Sequence, residues 1–413
     1  MQGRRRPVLT DKVTRRHKPD YILILITVVL LTIGLITVYA ISPGLSSQKK
    51  VSENYFVIKQ IIAVCLGIGT FIVTSNLPVS IWKKIEKPLI ITTFIAAFLV
   101  RIFGEEINGA YRWIQVGGLS FQVAELIKFV LIIWLAGYLS DAYKRGKLND
   151  VKEVSKPLLI VLLLIAVVVA KLQSDLGSAG VMVVIMVSMI FLIGLPVKRI
   201  LIILGIILIG LFILISTSSY RRDRFNTFLN PTRDCQNSGY QACQALIAVG
   251  SGGFAGLGLG RGVQAYGYLP EAANDSIFAI YAEKFGFLGV CVLLGLFLAL
   301  FSRIKKIINR TADNYSRLIV VGVLAWLSAQ SFINIGAMIG LIPLKGITLP
   351  FISYGGTSLI FITAAIGLVF QISRYTTYSP VNDNLMNENG NKHEDTISRR
   401  RFGRAYNSRS SSR

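Results

Sequence analysis

Acidic residues stand where an apolar helix is predicted to begin, near Ser276. Glu271 and Asp275 precede this helix in the stretch YLPEAANDSIFAIYAEKFGFLG (268–289), and Glu283 lies about two turns inside it. Charged groups this close to lipid are costly and usually functional. An Asp just before an apolar helix is also a good N-cap, and a carboxylate there stays ionised and oriented. Asp275 is therefore open to two interpretations that can both hold, a helix cap and a general base.

Polar residues from several other segments are candidates to act together with these carboxylates. Arg112 lies in NGAYRWI (108–114), and Lys345 lies in PLKGITLPFISYGG (343–356). Polar groups from separate segments that converge on one face favour a common site over independent pairs. The candidates for substrate contacts are Lys59, Arg112, Glu125, Lys128, Gln173, Asp175, Arg221, Arg222, Arg224, Glu271 and Lys345.

Some of these charges also have structural interpretations. Glu125 and Lys128 are three residues apart and could pair along one helix face. Arg101 lies near the end of an apolar run, so its charged head could reach the membrane surface. Glu283 and Lys284 are adjacent and point to different sides of a helix, so they do not simply pair with each other.

The candidate groups indicate a particular class of reaction. If the N-terminus is inside, most of them lie toward the outer half of the bilayer, where no ATP is expected. A substrate would have to arrive already activated, and a lipid-linked diphosphate could enter sideways from the bilayer. Arg and Lys, with or without a divalent ion, would hold the diphosphate and stabilise the departing charge. With a carboxylate to take the proton from a sugar hydroxyl, these groups favour glycosyl transfer from a polyprenyl diphosphate donor.

The elements that must position these residues are transmembrane helices. Hydrophobic residues make up 53% of the 413 residues and charged residues only 16%, which is too apolar for a soluble chain of this length. Apolar runs of roughly 17–25 residues recur, the length that crosses a bilayer. We predict an all-α polytopic membrane protein with about ten spans. They are 21–42, 55–75, 88–103, 122–141, 157–172, 177–195, 200–216, 276–301, 317–340 and 357–373.

The net charge is +23, and the distribution of the basic residues indicates membrane topology and not nucleic-acid binding. Basic residues gather in short loops and at both termini, as in RRR (4–6) and RRRFGR (399–404). With the N-terminus inside, roughly 30 Lys and Arg fall on the cytoplasmic side and roughly 10 outside, which agrees with the positive-inside rule. Both termini are then cytoplasmic, and the basic clusters contact anionic lipid headgroups.

The predicted organisation is one membrane domain, 21–373, between two basic cytoplasmic tails, 1–20 and 374–413. The second tail is rich in Asn, Ser and Arg and is predicted to be disordered. The exception to the short loops is 217–275, a large outer loop between spans seven and eight. A loop of this length in a compact protein is usually functional or disordered, and this one is too apolar for disorder.

Within the outer loop, QALIAVGSGGFAGLGLG (244–260) resembles a re-entrant element. Its glycines do not meet the G-x-G-x-x-G spacing of a dinucleotide site, and no strand precedes them. Close packing by small residues and a flexible lip around a lipid-filled groove both remain open. Cys235 and Cys243 share this loop and could form a disulfide in an oxidising exterior.

At these residues the chain resembles the shape, elongation, division and sporulation (SEDS) family of peptidoglycan glycosyltransferases, whose division-type and elongation-type members are FtsW and RodA. The resemblance covers about residues 20–375, with the ten spans in the same order. The segment KGITLPFISYGG (345–356) is more similar to the division type. The other matching stretches are NGAYRWI, QVAELIK (122–128), LQSDLGSA (172–179), YRRDRFNTFLNP (220–231), GYQACQALIAVGSGGFAGLGLG (239–260) and YLPEAANDSIFA (268–279).

The resemblance implies a function and a set of partners. Asp275 matches the family's invariant Asp and would be the catalytic carboxylate. Family members polymerise lipid II, an undecaprenyl-diphosphate-linked disaccharide peptide, outside the cytoplasmic membrane. They work with a class B penicillin-binding transpeptidase and, in the division type, with other division proteins. A divalent cation, Mg²⁺ or Mn²⁺, is also implied.

The chain departs from the family pattern next to several matching residues. The family has His-Thr before its Asp and Phe after it, where this chain has Ala273, Asn274 and Ser276. The family's Gln-Pro-Ser-Glu, Gln-Pro-Asp and Glu-Glu read here as Gln122–Glu125, Gln173–Asp175 and Glu283-Lys284. These substitutions bear on substrate details and rate more than on the reaction class.

Two other functions compete with glycosyl transfer. A transporter that flips a lipid-linked glycan would also need charges in the membrane, but transporters usually place them near the midplane on broken helices in paired repeats. A non-catalytic scaffold for a division complex is the second alternative, because the residues around Asp275 diverge from the family pattern.

Overall fold

The chain is largely helical, as predicted. The computed structural model describes residues 18–107, 110–116, 119–217, 222, 226–229, 235–237 and 239–375. Each of the ten predicted spans coincides with a helical segment. In the described residues, eight helices are long and apolar enough to cross a membrane. The all-α polytopic architecture is therefore confirmed, whereas most of the two predicted tails, 1–17 and 376–413, lies outside the described residues.

The helices follow the apolar runs closely. One predicted span, 157–172, is irregular. Its α-helix, Lys156–Leu164, is preceded by a π-helical segment at Val151–Ser155 and followed by another at Ile165–Leu172. The helices are α1 (Tyr21–Lys49), α2 (Tyr55–Asn76), α3 (Val79–Lys84), α4 (Glu86–Phe103), α5 (Val123–Lys144), α6 (Lys156–Leu164), α7 (Leu176–Ile193), α8 (Val197–Ser216), α9 (Tyr240–Ser251), α10 (Ile277–Arg310), α11 (Asn314–Met338) and α12 (Gly356–Ser373).

Helices α5, α11 and α12 form the centre of the molecule. Their apolar windows are 78%, 67% and 83% buried, compared with 22% for α2 and for α10. Small residues allow the close approach that packing within a bilayer requires. A Cβ added to Gly367 of α12 would lie 2.0 Å from Thr74 Oγ1 of α2. The exposed residues of the outer helices are mostly apolar, as expected of surfaces that face lipid.

A small antiparallel sheet interrupts the helical pattern between α4 and α5. Its strands are β1 (Glu105–Ile107), β2 (Ala110–Val116) and β3 (Leu119–Gln122), in the order β1-β2-β3. The pattern of apolar residues does not predict these strands. Trp113 pairs with Gln122, so β2 is tied to the residue that immediately precedes α5. The sheet therefore gives Arg112 a fixed position relative to a central helix.

The Gly-rich part of the outer loop is packed against α10, which supports the close-packing interpretation. Glu283 Oε1 accepts hydrogen bonds from the backbone N–H groups of Val263 (3.0 Å) and Gln264 (3.1 Å). Lys284 Nζ donates to the Leu259 carbonyl at 3.0 Å. A Cβ on Gly286, which has φ +62° at a kink in α10, would lie 2.2 Å from the Gly256 nitrogen. The Glu283 and Lys284 charges thus bind the loop to its neighbouring helix.

The structure joins Cys235 and Cys243 through a disulfide, with the two Cα atoms 5.6 Å apart. Cys235 is exposed and Cys243 is buried at the start of α9. The other two cysteines, Cys65 and Cys291, are free. The disulfide therefore closes a short loop directly before a helix that packs on α10.

Thiol labelling checks this disulfide. After denaturation without reductant, alkylation should label Cys65 and Cys291 only, and a reductant should expose the other two thiols. Cys235→Ser should lower the thermal midpoint, because a closed loop of this length contributes about 2–3 kcal/mol in the chain-entropy model. Cys65→Ser is the matched control and should leave the midpoint nearly unchanged. Labelling of all four thiols without reductant would contradict the pairing.

Candidate active site

The segment that carries Asp275 is held by the loop between α11 and α12. The Tyr354 N–H donates to the Ala273 carbonyl at 2.8 Å, and Ser353 Oγ donates to the Asn274 carbonyl at 2.6 Å. Helix α10 begins at Ile277, with Ser276 in the N-cap position. The interpretation of Asp275 as the N-cap is therefore wrong. Its carboxylate stands just before the helix and is half-buried.

The side chains of Asp275 and Arg112 both lie close to Gly346. A Cβ built on Gly346 would lie 3.6 Å from Asp275 Oδ2 and 3.9 Å from Arg112 Nη1. Side chains from the start of α10 and from strand β2 therefore both approach the same glycine of the α11–α12 loop. Lys345 is half-buried and precedes Gly346 directly, so this predicted residue belongs to the same loop. The structure thus brings a carboxylate and a guanidinium together at one place.

Arg112 is oriented by the turn between α6 and α7. Its Nε donates to the Gln173 carbonyl at 3.0 Å and its Nη2 to the Ser174 carbonyl at 2.5 Å. Ser174 has φ +51°, a left-handed conformation that is uncommon outside glycine. With two nitrogens engaged, the guanidinium has a set orientation, and its Nη1 is the nitrogen beside Gly346.

Gln173 and Asp175 are almost completely buried, at 4% and 2% exposure. Asp175 Oδ1 accepts a hydrogen bond from the Ser178 N–H at 2.9 Å and caps α7. Its Oδ2 accepts from Gln122 Nε2 at 3.4 Å. Asp175 therefore shapes the turn that orients Arg112. Among the described residues, the buried Gln173 Nε2 has no hydrogen-bond partner.

The Glu125–Lys128 pair predicted from the sequence is confirmed. The two groups are 2.7 Å apart with side chains 3% and 1% exposed, and Lys128 also donates to Gln330 Oε1 at 3.0 Å. Gln330 Nε2 in turn donates to the Thr348 carbonyl at 3.0 Å. The pair is thus a buried support that reaches the α11–α12 loop through Gln330.

No described interaction places three other predicted residues, Lys59, Glu271 and Arg222, beside Gly346. Lys59 Nζ donates to Tyr55 OH at 2.5 Å within α2. Glu271 is exposed, and its Oε2 accepts from Asn274 Nδ2 at 2.5 Å. Arg222 is exposed, whereas Arg221 and Arg224 lie outside the described residues.

Gln330 and Asn334 are not among the candidate residues predicted from the sequence. Both are buried on α11, at 0% and 2% exposure, and both donate to the α11–α12 loop. Their spacing of four residues within the apolar run LSAQSFINIG places them on one helix face. Paired amides inside a membrane helix are a signal that could have identified them.

The described residues do not form a binding site for the predicted divalent cation. Among those residues, no group of three or more His, Cys, Asp or Glu is placed to hold a metal ion. Mg²⁺ commonly binds through one or two carboxylates together with substrate phosphates, which would leave most of its ligands to the substrate. The cation therefore stays a prediction, and the described residues do not fit a metal site of their own.

Comparison with known proteins decides the family. The FtsW/RodA/SpoVE family model, described as "Cell cycle protein", matches residues 21–378. The chain belongs to this family. The SEDS resemblance drawn from the sequence motifs is thereby confirmed, and with it the status of an integral membrane protein.

Named SEDS relatives align over most of the chain. The probable peptidoglycan glycosyltransferase FtsW of Coxiella burnetii is 38% identical over 363 residues, which cover 86% of this chain and 96% of that protein. Stage V sporulation protein E of Bacillus subtilis is 37% identical over 374 residues, covering 88% and 100%.

Solved SEDS structures share the fold. A chain from a peptidoglycan synthase complex, studied for the coordination of polymerization and crosslinking, superposes with a TM-score of 0.70 and 27% identity, covering 86% of this chain and 98% of that one. The rod shape determining protein RodA of Thermus thermophilus gives a TM-score of 0.64 and 26% identity, covering 87% and 98%.

Proposed function

We propose that this SEDS protein is a peptidoglycan glycosyltransferase that polymerises lipid II into glycan strands at the outer face of the cytoplasmic membrane. The observation that carries the proposal is that Asp275 Oδ2 and Arg112 Nη1 both lie close to Gly346. On the predicted topology this place is at the outer end of the bundle. Relatives named peptidoglycan glycosyltransferase FtsW support the same reaction. Those names also favour a role in cell division.

In the proposed reaction Asp275 acts as general base. The acceptor's 4-hydroxyl gives its proton to the Asp275 carboxylate, and its oxygen forms a bond to the anomeric carbon of the donor. The bond from that carbon to the diphosphate breaks, and undecaprenyl diphosphate departs with the electron pair. Arg112 Nη1 and Lys345 are the proposed cationic contacts for the diphosphate, because both lie next to the same glycine.

Other parts of the proposal concern groups that act with the chain. A divalent cation, Mg²⁺ or Mn²⁺, stays part of the proposal, and a lower rate of polymerisation in the presence of a chelator would support it. A class B penicillin-binding transpeptidase is the proposed partner, since a similar chain belongs to a peptidoglycan synthase complex. Other division proteins would join them. The charge bias of the loops supports cytoplasmic termini.

Polymerisation in detergent micelles tests the proposed function. Purified protein and its transpeptidase partner would be incubated with lipid II, with penicillin present to prevent crosslinking. A glycosyltransferase should give a ladder of glycan strands on a gel. Micelles have no two sides, so a protein that only flips lipid II would give no ladder. Wild-type protein that binds its partner yet makes no polymer would contradict the proposal.

A further inference from the structure

We infer that Asn334 is a positioning residue, which holds the Asp275 carboxylate in register with the loop that carries Lys345 and Gly346. The inference deepens the proposed function and rests on it. Asn334 lies on α11 and is 2% exposed. Its Nδ2 donates to the Asp275 carbonyl at 2.7 Å and to the Ile347 carbonyl at 2.6 Å. One amide group thus joins the backbones on both sides of the candidate site.

The Asp275 carbonyl is the last of three consecutive carbonyls that the surrounding loop and α11 hold. The preceding two receive hydrogen bonds from Tyr354 and Ser353, which belong to the α11–α12 loop itself. Asn334 comes from α11 instead. Its hydrogen bond therefore connects the backbone of Asp275 directly to a membrane-spanning helix.

The Ile347 contact explains why the position of the carboxylate depends on this amide. Ile347 follows Gly346, and a Cβ built on Gly346 would lie 3.6 Å from Asp275 Oδ2. A shift of the Asp275 carbonyl away from Asn334 would change the distance between the carboxylate and this loop. Misplacement of a reacting group by about 1 Å can lower a rate by about 100-fold, so a small backbone shift is enough to matter.

The side chain of Asn334 also suits this role better than its neighbours on α11. Gln330, one turn earlier, shares its amide between the Thr348 carbonyl and the Lys128 and Trp326 side chains. Its loss would therefore disturb a buried ion pair. Asn334 donates to the two carbonyls of the candidate site, and Ser331 on the same helix has a buried Oγ that finds no hydrogen-bond partner in the described part of the chain.

Two substitutions of Asn334 test the inference, with Ser331→Ala as the matched control. Asn334→Asp keeps the size of the side chain but can donate at most one of the two hydrogen bonds, when it is protonated, and Asn334→Ala donates neither. We expect both variants to lower kcat for lipid II polymerisation by at least about tenfold, with an apparent KM within about threefold of wild type. Ser331→Ala should keep both constants. The Asn334 variants should have lower thermal midpoints than Ser331→Ala, because they leave buried carbonyls without a donor, but they should remain folded at the assay temperature.

The outcomes separate this inference from the proposed function. If wild-type protein makes no polymer, the proposed function itself is wrong. If wild-type protein polymerises and either Asn334 variant keeps a kcat within about threefold of it, only the positioning role is wrong. A rise in KM at constant kcat would also contradict it, because that pattern marks substrate binding. Loss of folding in both variants would contradict it as well, since Asn334 would then be a structural residue.

Discussion

Replacement of Asp275 by Asn should abolish lipid II polymerisation while the protein still folds and binds its partner. The amide has the same shape as the carboxylate but cannot accept the proton of the acceptor hydroxyl. A general base typically contributes 10²–10⁴-fold to a rate, so turnover should fall by about that factor. The measurement is glycan formation from lipid II by purified protein with its partner, quantified at saturating substrate.

A matched acid-to-amide control belongs beside this variant. Glu53 lies on the same predicted side of the membrane, in the loop between α1 and α2, and is exposed. Glu53→Gln should keep wild-type turnover. If Asp275→Asn retained turnover comparable to Glu53→Gln, Asp275 would not be the base. Cells that divide normally with Asp275→Asn as their only copy would then favour the scaffold alternative.

Replacement of Gly346 by Ala should also lower polymerisation severely, by on the order of 100-fold. Gly346 has φ +64°, which costs an L-residue roughly 1–2 kcal/mol in the left-handed region. The new methyl would lie 3.6 Å from Asp275 Oδ2 and 3.9 Å from Arg112 Nη1. It would take up space next to the proposed base and the guanidinium, and the backbone strain would fall on the residue directly after Lys345.

Gly146 supplies the control for the backbone strain. It has φ +69°, and a Cβ there would meet nothing within 4 Å. Gly146→Ala therefore carries the same conformational cost without any new contact. It should lower the thermal midpoint about as much as Gly346→Ala while leaving turnover near wild type. Equal turnover in the two variants would mean that the space at Gly346 has no part in the reaction.

Much of the fold follows from local properties of the sequence. Runs of about 20 apolar residues must become helices in a bilayer, because only a helix satisfies its own backbone hydrogen bonds there. The pairing of Glu125 with Lys128 also follows locally, from their spacing of three residues on a helix. The sequence motifs also identify the family, and their match to the family pattern selects Asp275 as the candidate carboxylate.

The sequence by itself therefore determined the helices, the family and the candidate carboxylate. Only the tertiary structure decided which polar groups work together. Arg112 reaches the site through an unpredicted strand and is oriented by the Gln173 and Ser174 carbonyls, whereas Glu283 and Lys284 hold the Gly-rich loop. Periodicity and spacing describe one element at a time. Contacts between residues such as Asn334 and Asp275, 59 positions apart, depend on how the helices pack against one another.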